Sequence, residues 1–312
     1  MKGKRNRKDV QEFQLHLMDN ILSLHAELKA KTYKHGGYHA FNISDPKPRN
    51  IHKASVRDRL LHHTIYRVLY PYFDKKFIHD SYSCRINKGT HKAINQFRKY
   101  FGKVDKNNTR TCWVLKCDIK KFFDSIDHKT LFKILKKYID DEEILWLLSR
   151  IISSFVSTSH LSYGVDIKKG LPLGNLTSQL LVNIYMNEFD QFVKHKLKFK
   201  YYIRYADDFV FLSHDKSHLT HLRYGVDVFM RERLKLELHP DKVFIKTLSS
   251  GVDFLGWVHF PHHRILRTVT KKRILKKLSN MSNTGCLTRE VTASYLGMLK
   301  HGNTHKLTKV LE

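Results

Sequence analysis

The chain has 312 residues and is 41% apolar, which is enough for a large core in more than one lobe and too much for a disordered protein. Lys and Arg number 57 against 29 Asp and Glu, a net charge of +28 with 21 His besides, which points to a polyanionic partner, nucleic acid before a membrane surface. Cys84, Cys112, Cys117 and Cys286 lack zinc-ligand spacing and form no disulfide framework, no run is long and apolar enough to span a bilayer, and no signal-type apolar core follows the basic start, so a cytoplasmic protein with no membrane partner is expected.

Phe13, Leu17, Ile21, Leu24 and Leu28 recur at helical steps and predict one amphipathic helix over 10–30. Gly36-Gly37 ends it. Tyr38–Ile43 then alternates like a strand, and Pro46 and Pro48 enforce an extended turn that exposes Lys47 and Arg49. From Ser55 a helix uses Val56, Leu60, Ile65, Val68 and Leu69 and breaks before Pro71. Arg57-Asp58-Arg59 at its start reads equally well as local ion pairs or as a nucleic-acid contact. Ser81–Lys92 is a basic, glycine-containing loop leading into a helix over about 92–101, with Arg85 and Lys88 able to meet phosphate.

Trp113–Ile119 reads as a buried strand ending in Asp118, a carboxylate that is costly there unless paired, hydrogen-bonded or metal-bound. A turn over 120–124 precedes two helices, about 128–138 with Asp127 as N-cap and about 141–155. A polar, irregular stretch over 157–169 leads to the loop Gly170–Gln179, which feeds a helix over 177–196 and can approach a base or sugar with its backbone. Tyr201–Leu212 reads as strand, tight turn, strand, with Asp207 and Asp208 at the tip. Adjacent carboxylates repel unless a cation lies between them, and a hard cation such as Mg²⁺ keeps positions open for substrate phosphates. The competing reading is a solvated turn, where Asp is common. A helix over 218–236 and short strands at Leu238–Ile245 and Asp253–Val258 follow. Residues 259–312 hold 11 Lys and Arg against Glu290 and Glu312, a helical, net +9 stretch suited to gripping a nucleic-acid backbone. There is no internal repeat.

Asp118 and Asp207 are 89 residues apart and can meet only through tertiary structure. Carboxylates on adjacent strands would form a two-metal site, with ions roughly 3.5–4 Å apart, for in-line attack of a primer 3′-hydroxyl with pyrophosphate leaving.

From about Lys47 onward this ordered set resembles the reverse transcriptases of bacterial retroelements. The resemblance implies an α+β, right-hand polymerase fold: fingers, a palm with an antiparallel sheet, and a short helical thumb. It sets 1–50 as an N-terminal helix and basic extension, 51–258 as fingers and palm, and 259–312 as a short basic thumb. It implies an RNA-directed DNA polymerase using two Mg²⁺ ions, or Mn²⁺, with a template RNA, a DNA or RNA primer, and dNTPs. By position, Asp118, Asp207 and Asp208 match the family's catalytic, metal-binding aspartates, Asp207 being the firmer ligand of the hairpin pair. The carbonyl of Ile119 matches a further metal ligand. Phe123 matches the residue that excludes a ribose 2′-hydroxyl, and Arg85, with Lys88 nearby, the fingers contact to the triphosphate. Lys242 matches the lysine that assists proton transfer to pyrophosphate, and Phe254–Trp257 the primer-grip turn.

Gly174-Asn175-Leu176-Thr177-Ser178-Gln179, preceded by Leu173, resembles the enzymes of diversity-generating retroelements, with Gly174, Ser178 and Gln179 near the nucleotide. Intron-encoded and retron relatives carry Gln before that glycine and Pro after that serine. The subfamily implies copying with errors at template adenines and a small, basic, pentameric accessory protein. Ala206 is usual for intron and retron enzymes and does not help the assignment. Retron strings of the Asn-Ala-x-x-His and Val-Thr-Gly type are absent, and little chain follows the thumb to hold a splicing or endonuclease domain. The alternatives are a group II intron-like, retron or antiphage-defence reverse transcriptase, or an RNA-binding protein with an idle site.

Overall fold

A computed structural model describes residues 3–44, 48–157, 168–283 and 288–309. In chain order the elements are α1 (Lys8–Leu15), α2 (Leu17–Lys29), β1 (Tyr38–Ile43), β2 (Arg49–Ala54), α3 (Val56–Asp74), α4 (Thr90–Val104), β3 (Trp113–Asp118), α5 (Phe122–Ser125), α6 (His128–Leu135) and α7 (Glu142–Ser153). Next come α8 (Leu176–Gln191), β4 (Tyr202–Tyr205), β5 (Asp208–Ser213), α9 (Lys216–Leu234), β6 (Phe244–Thr247), β7 (Val252–Phe254), β8 (Trp257–His259), β9 (Arg264–Leu266), α10 (Thr268–Asn283), α11 (Arg289–Leu299) and α12 (His305–Thr308). They form two units. The first comprises Met1–His79, Ile119–Leu197 and Val228–Glu237, the second Asp80–Asp118, Lys198–Asp227 and Leu238–Glu312. Among the described residues no helix is long and apolar enough to cross a membrane.

The first unit is built around α8. Its run of Leu, Val, Ile, Tyr and Met shows little helical periodicity because it is buried nearly all round, from Thr177 and Ser178 to Phe189 and Asp190. Leu61, Ile65, Leu69 and Phe73 supply the buried face of α3, which packs on it. Asp127 caps α6 through the Thr130 amide at 2.8 Å, and Asp141 caps α7 through the amides of Glu143 and Ile144.

Arg57-Asp58-Arg59 is internal framework. Asp58 is 1% exposed and accepts from Tyr33 Oη (2.8 Å), Ser55 Oγ (2.7 Å) and the Gly36 amide (3.1 Å), while Arg59 pairs with Asp9 and Arg57 with Glu27. The ion-pair reading of that triplet therefore holds.

Three helix and strand expectations in this unit need correction. The helix over 10–30 breaks at His16, where φ is −113° and ψ 40°. Asn20 Nδ2 donates to the Phe13 carbonyl freed by that break, and Leu15 and Met18 lie exposed. The helix from Ser55 does not stop before Pro71 but runs to Asp74, because burial of Tyr70 and Phe73 outweighs one missing backbone hydrogen bond. The polar stretch after Pro48 is a strand, β2, paired antiparallel with β1 from Tyr38↔Ala54 to Ile43↔Arg49. Pro46 and Lys47 lie outside the described residues, as does most of the irregular stretch over 157–169.

The second unit carries an antiparallel sheet of order β4-β5-β3-β6. Ala93, Ile94, Phe97, Phe101 and Val104 of α4 join Val114, Ile203, Val210, Leu212, Phe254 and Trp257 in one core cluster. A second sheet, β7-β8-β9, turns at Leu255-Gly256, both at positive φ. The strand expected over 238–245 is shorter and later, 244–247, because a 3₁₀ turn at Pro240–Lys242 occupies its start. The tail is not wholly helical: it opens with β9 before the basic helix α10, the neutral α11 and the short α12.

Burial holds two histidines neutral. His62 in the first unit and His259 in the second are each 1% exposed, and burial is the main cause that pulls each pKa down to about 4. Both folded values lie below the unfolded value near 6.5, so their contribution is complete above that value and is lost as pH falls toward 4. Each is expected to cost about 3 kcal/mol of stability between pH 7 and pH 4. Thermal melts across that range should show the decline, and His259→Gln should remove about half of it.

Candidate active site

In the second unit β3 and β5 pair so that Asp118 stands opposite Asp208. The β4–β5 hairpin closes at Tyr205↔Asp208 through Ala206 and Asp207, with Ala206 at φ +56°, which costs a residue bearing a Cβ roughly 1 kcal/mol. Three carboxylates thus lie on neighbouring strand ends.

Two ammonium groups hold the outer pair. Lys242 Nζ donates to Asp118 Oδ1 at 3.0 Å, and Lys116, 6% exposed within β3, lies 3.4 Å from Asp208 Oδ2. Among the described residues Asp208 Oδ1 is buried with no hydrogen-bond partner. Burial, reinforced by the charges of Asp118 and Asp207, pushes the Asp208 carboxyl up to about 7 against the opposing pull of Lys116. An all-oxygen set with an orphaned buried oxygen, and cationic groups already drawn to it, fits a hard divalent cation. Among the described residues no group of three or more His, Cys, Asp or Glu side chains is arranged to hold a metal ion, and lysines pair with Asp118 and Asp208.

The loop bearing Arg85 and Lys88 is fastened to this hairpin. Ser81 bridges Arg204 in parallel, with the Arg204 amide donating to the Asp80 carbonyl (3.0 Å) and the Tyr82 amide to the Arg204 carbonyl (2.9 Å). Arg85 Nη1 donates to the Ser81 carbonyl at 3.1 Å, the Lys88 ammonium lies 5.0 Å over the Tyr82 ring, and Thr90 Oγ1 donates to Tyr205 Oη. The hub is Arg204, fully buried, whose Nη2 donates to Ser81 Oγ (3.0 Å) and Nη1 to the Ala206 carbonyl (3.2 Å). Sequence reasoning passed over Arg204 and Lys116. The signal was there: each is a cation inside an otherwise apolar strand, which needs a paired anion or a hydrogen-bond frame.

The remaining expected site residues belong to the first unit. Ile119 is buried, 2% exposed. Phe123 is half-buried on the single turn α5, edge-on to Phe122, and its carbonyl accepts from the Leu171 amide at 2.9 Å. The glycine loop runs along β2: the His52 amide donates to the Leu173 carbonyl, and Asn175 Nδ2 to the His52 carbonyl, both at 2.9 Å. Phe123 and the glycine loop are thereby linked in one framework. Ser178 is buried and Gln179 half-buried at the start of α8.

Gly174 has φ +106°, and a Cβ there would lie 2.8 Å from Cγ2 of Ile51. Gly174→Ala is therefore expected to destabilise the first unit by about 2 kcal/mol, read from urea unfolding.

Residues 39–259 match the family model described as reverse transcriptase (RNA-dependent DNA polymerase). Protein YkfC of Escherichia coli (strain K12) is 28% identical over 72% of this chain and 65% of its own length. The group II intron-encoded protein LtrA of Lactococcus lactis subsp. cremoris is 24% identical over 73% of this chain and 46% of its own. The chain thus spans between about half and two thirds of the length of these relatives. Among solved structures, apo telomerase from Candida tropicalis, truncated from its C-terminal domain, superposes with a TM-score of 0.55 at 13% identity, over 81% of this chain and 60% of that one. That likeness shows the α+β right-hand polymerase fold and nothing further. Since the family match runs unbroken from β1 to β8, through Asp118 and the Asp207-Asp208 hairpin, this chain belongs to the reverse transcriptase (RNA-dependent DNA polymerase) family.

Proposed function

We propose that this chain is an RNA-directed DNA polymerase that extends a DNA or RNA primer along a template RNA with dNTPs. The observation that carries the reading is the register that sets Asp118 opposite Asp208, with an orphaned carboxylate oxygen, in a chain of this family. Two Mg²⁺ ions, replaceable by Mn²⁺, held by Asp118, Asp207, Asp208 and the Ile119 carbonyl would ionise the primer 3′-hydroxyl and neutralise the triphosphate. Lys116 fixes Asp208 through Oδ2, and Lys242 Nζ, anchored on Asp118, supplies a proton to departing pyrophosphate. Arg85 and Lys88 take triphosphate oxygens. Phe123 blocks a ribose 2′-hydroxyl, and Gly174, Ser178 and Gln179 border the nascent pair. Residues 51–258 serve as fingers and palm, 259–312 as thumb, and 1–50 as an N-terminal extension.

Within that activity we assign error-prone copying at template adenines, as in a diversity-generating retroelement, assisted by a small basic pentameric protein. Leu173 and Gln179 support this reading: Gln at a helix start keeps a backbone N–H and adds an amide where proline would offer neither. A second reading, accurate intron-type copying, is supported by the match to an intron-encoded relative.

Sequencing the extension products of the wild type and of Leu173→Gln/Gln179→Pro tests the choice. Adenine-centred errors that fall severalfold in the double variant are expected. Accurate products from both proteins would sink the mutagenic assignment and leave the intron-type reading. Phe123→Val, assayed with ribonucleotides, should gain their incorporation by at least tenfold.

A further inference from the structure

A second cationic site lies in the second unit, in a half-open cavity of about 230 Å³ walled by the exposed side of α4, the turn between β8 and β9, and the segment after α11. Arg98, Arg264 and Lys300 line it with His262, His263 and His301, and among the described residues its lining contains no Asp or Glu. Like charges do not gather in a concave site without cost, because each raises the free energy of its neighbours.

Here one guanidinium is held rigidly in place. Arg264 Nε donates to the His301 carbonyl, Nη1 donates to Asn95 Oδ1 at 3.3 Å, and the group lies 5.7 Å over the Trp257 ring. His301 in turn stacks on His91 with centroids 3.7 Å apart. Burial first, and then the charge of Arg98, lowers the Arg264 pKa. A fixed guanidinium beside a second arginine, a lysine and imidazoles matches a phosphate group in charge and in chemical type.

We propose that this cavity binds a phosphate group of a polynucleotide strand, at a place separate from the carboxylates. A strand is favoured over a free anion because the cavity is open on one side and the neighbouring helix α10 adds exposed Lys271, Lys272, Lys276 and Lys277 in the same unit. The inference goes beyond the polymerase reading and does not depend on it, because its readout is binding without divalent metal.

The test uses the full chain in EDTA with a fluorescein-labelled oligo(rU), titrated at several salt concentrations. Arg98→Ala/Lys300→Ala removes two exposed cavity cations and leaves the structural Arg264 intact. The expected result is roughly tenfold weaker binding and a slope of log K against log salt shallower by about 1.4, with a melting temperature that does not fall. Lys129→Ala/Lys133→Ala removes the same charge from exposed positions of α6, outside the cavity and away from α10, and should weaken binding by about twofold or less. Equal losses from the two double variants would mean general attraction only and would overturn the proposal. Unchanged oligonucleotide binding, together with stabilisation of the wild type but not the cavity variant by inorganic phosphate or pyrophosphate, would overturn the strand in favour of a free anion. No effect of the cavity substitutions on either ligand would overturn the site itself.

Discussion

Asp118→Asn is expected to reduce DNA synthesis by at least about 10³-fold, roughly 4 kcal/mol of transition-state stabilisation, while leaving the fold at least as stable. The substitution keeps shape and removes charge. Its native ion pair with Lys242 is on a lysine 44% exposed and contributes at most about 1 kcal/mol. Against that, one of the charges that push Asp208 up to about 7 disappears. A protein that used Asp118 for stability would lose melting temperature on this change. One that holds it for chemistry would lose incorporation rate alone. Single-turnover incorporation and a thermal melt on the same preparation separate the two. Asp207→Asn should behave alike.

Arg204→Met is expected to cost about 3 kcal/mol of stability and to lower incorporation more than tenfold even where the protein stays folded. Methionine fills comparable volume but leaves Ser81 Oγ and the Ala206 carbonyl without their guanidinium donor. Those two acceptors tie the loop bearing Arg85 to the turn bearing Asp207, so the loss reaches both the triphosphate contact and a carboxylate. Arg204→Lys keeps the charge without the planar fork and should recover part of the stability but little of the rate. Urea unfolding beside kcat at a permissive temperature reads both effects. A purely structural role would move the first and spare the second.

The capped helices were legible because their signals are local. Asp127 and Asp141 precede apolar periodic runs, and each caps its helix. The hairpin was legible because aromatic and β-branched residues flank its two aspartates symmetrically. The break at His16 was not, since no Gly or Pro marks it and the apolar steps run through it. β2 was hidden because Asn50, His52 and Lys53 carry no strand composition; backbone pairing with β1 and the glycine loop sets its conformation. At the candidate site the carboxylates stood out by type and spacing. Lys116 and Arg204 did not, because a buried cation announces itself only once the anion or carbonyl it serves is placed in space. Gly174 was noticed as loop chemistry, yet its constraint comes from Ile51, a residue of β2 distant in sequence.

The most direct measurement of the central claim is templated extension. A labelled DNA primer on an RNA template of known sequence is incubated with the full chain and Mg²⁺, each dNTP being omitted in turn. The expected result is extension that stops one position before the first template base needing the omitted nucleotide, and that is absent with Asp207→Ala. Extension that ignores which nucleotide is missing, or equal extension by Asp207→Ala, would contradict an RNA-directed polymerase built on these carboxylates.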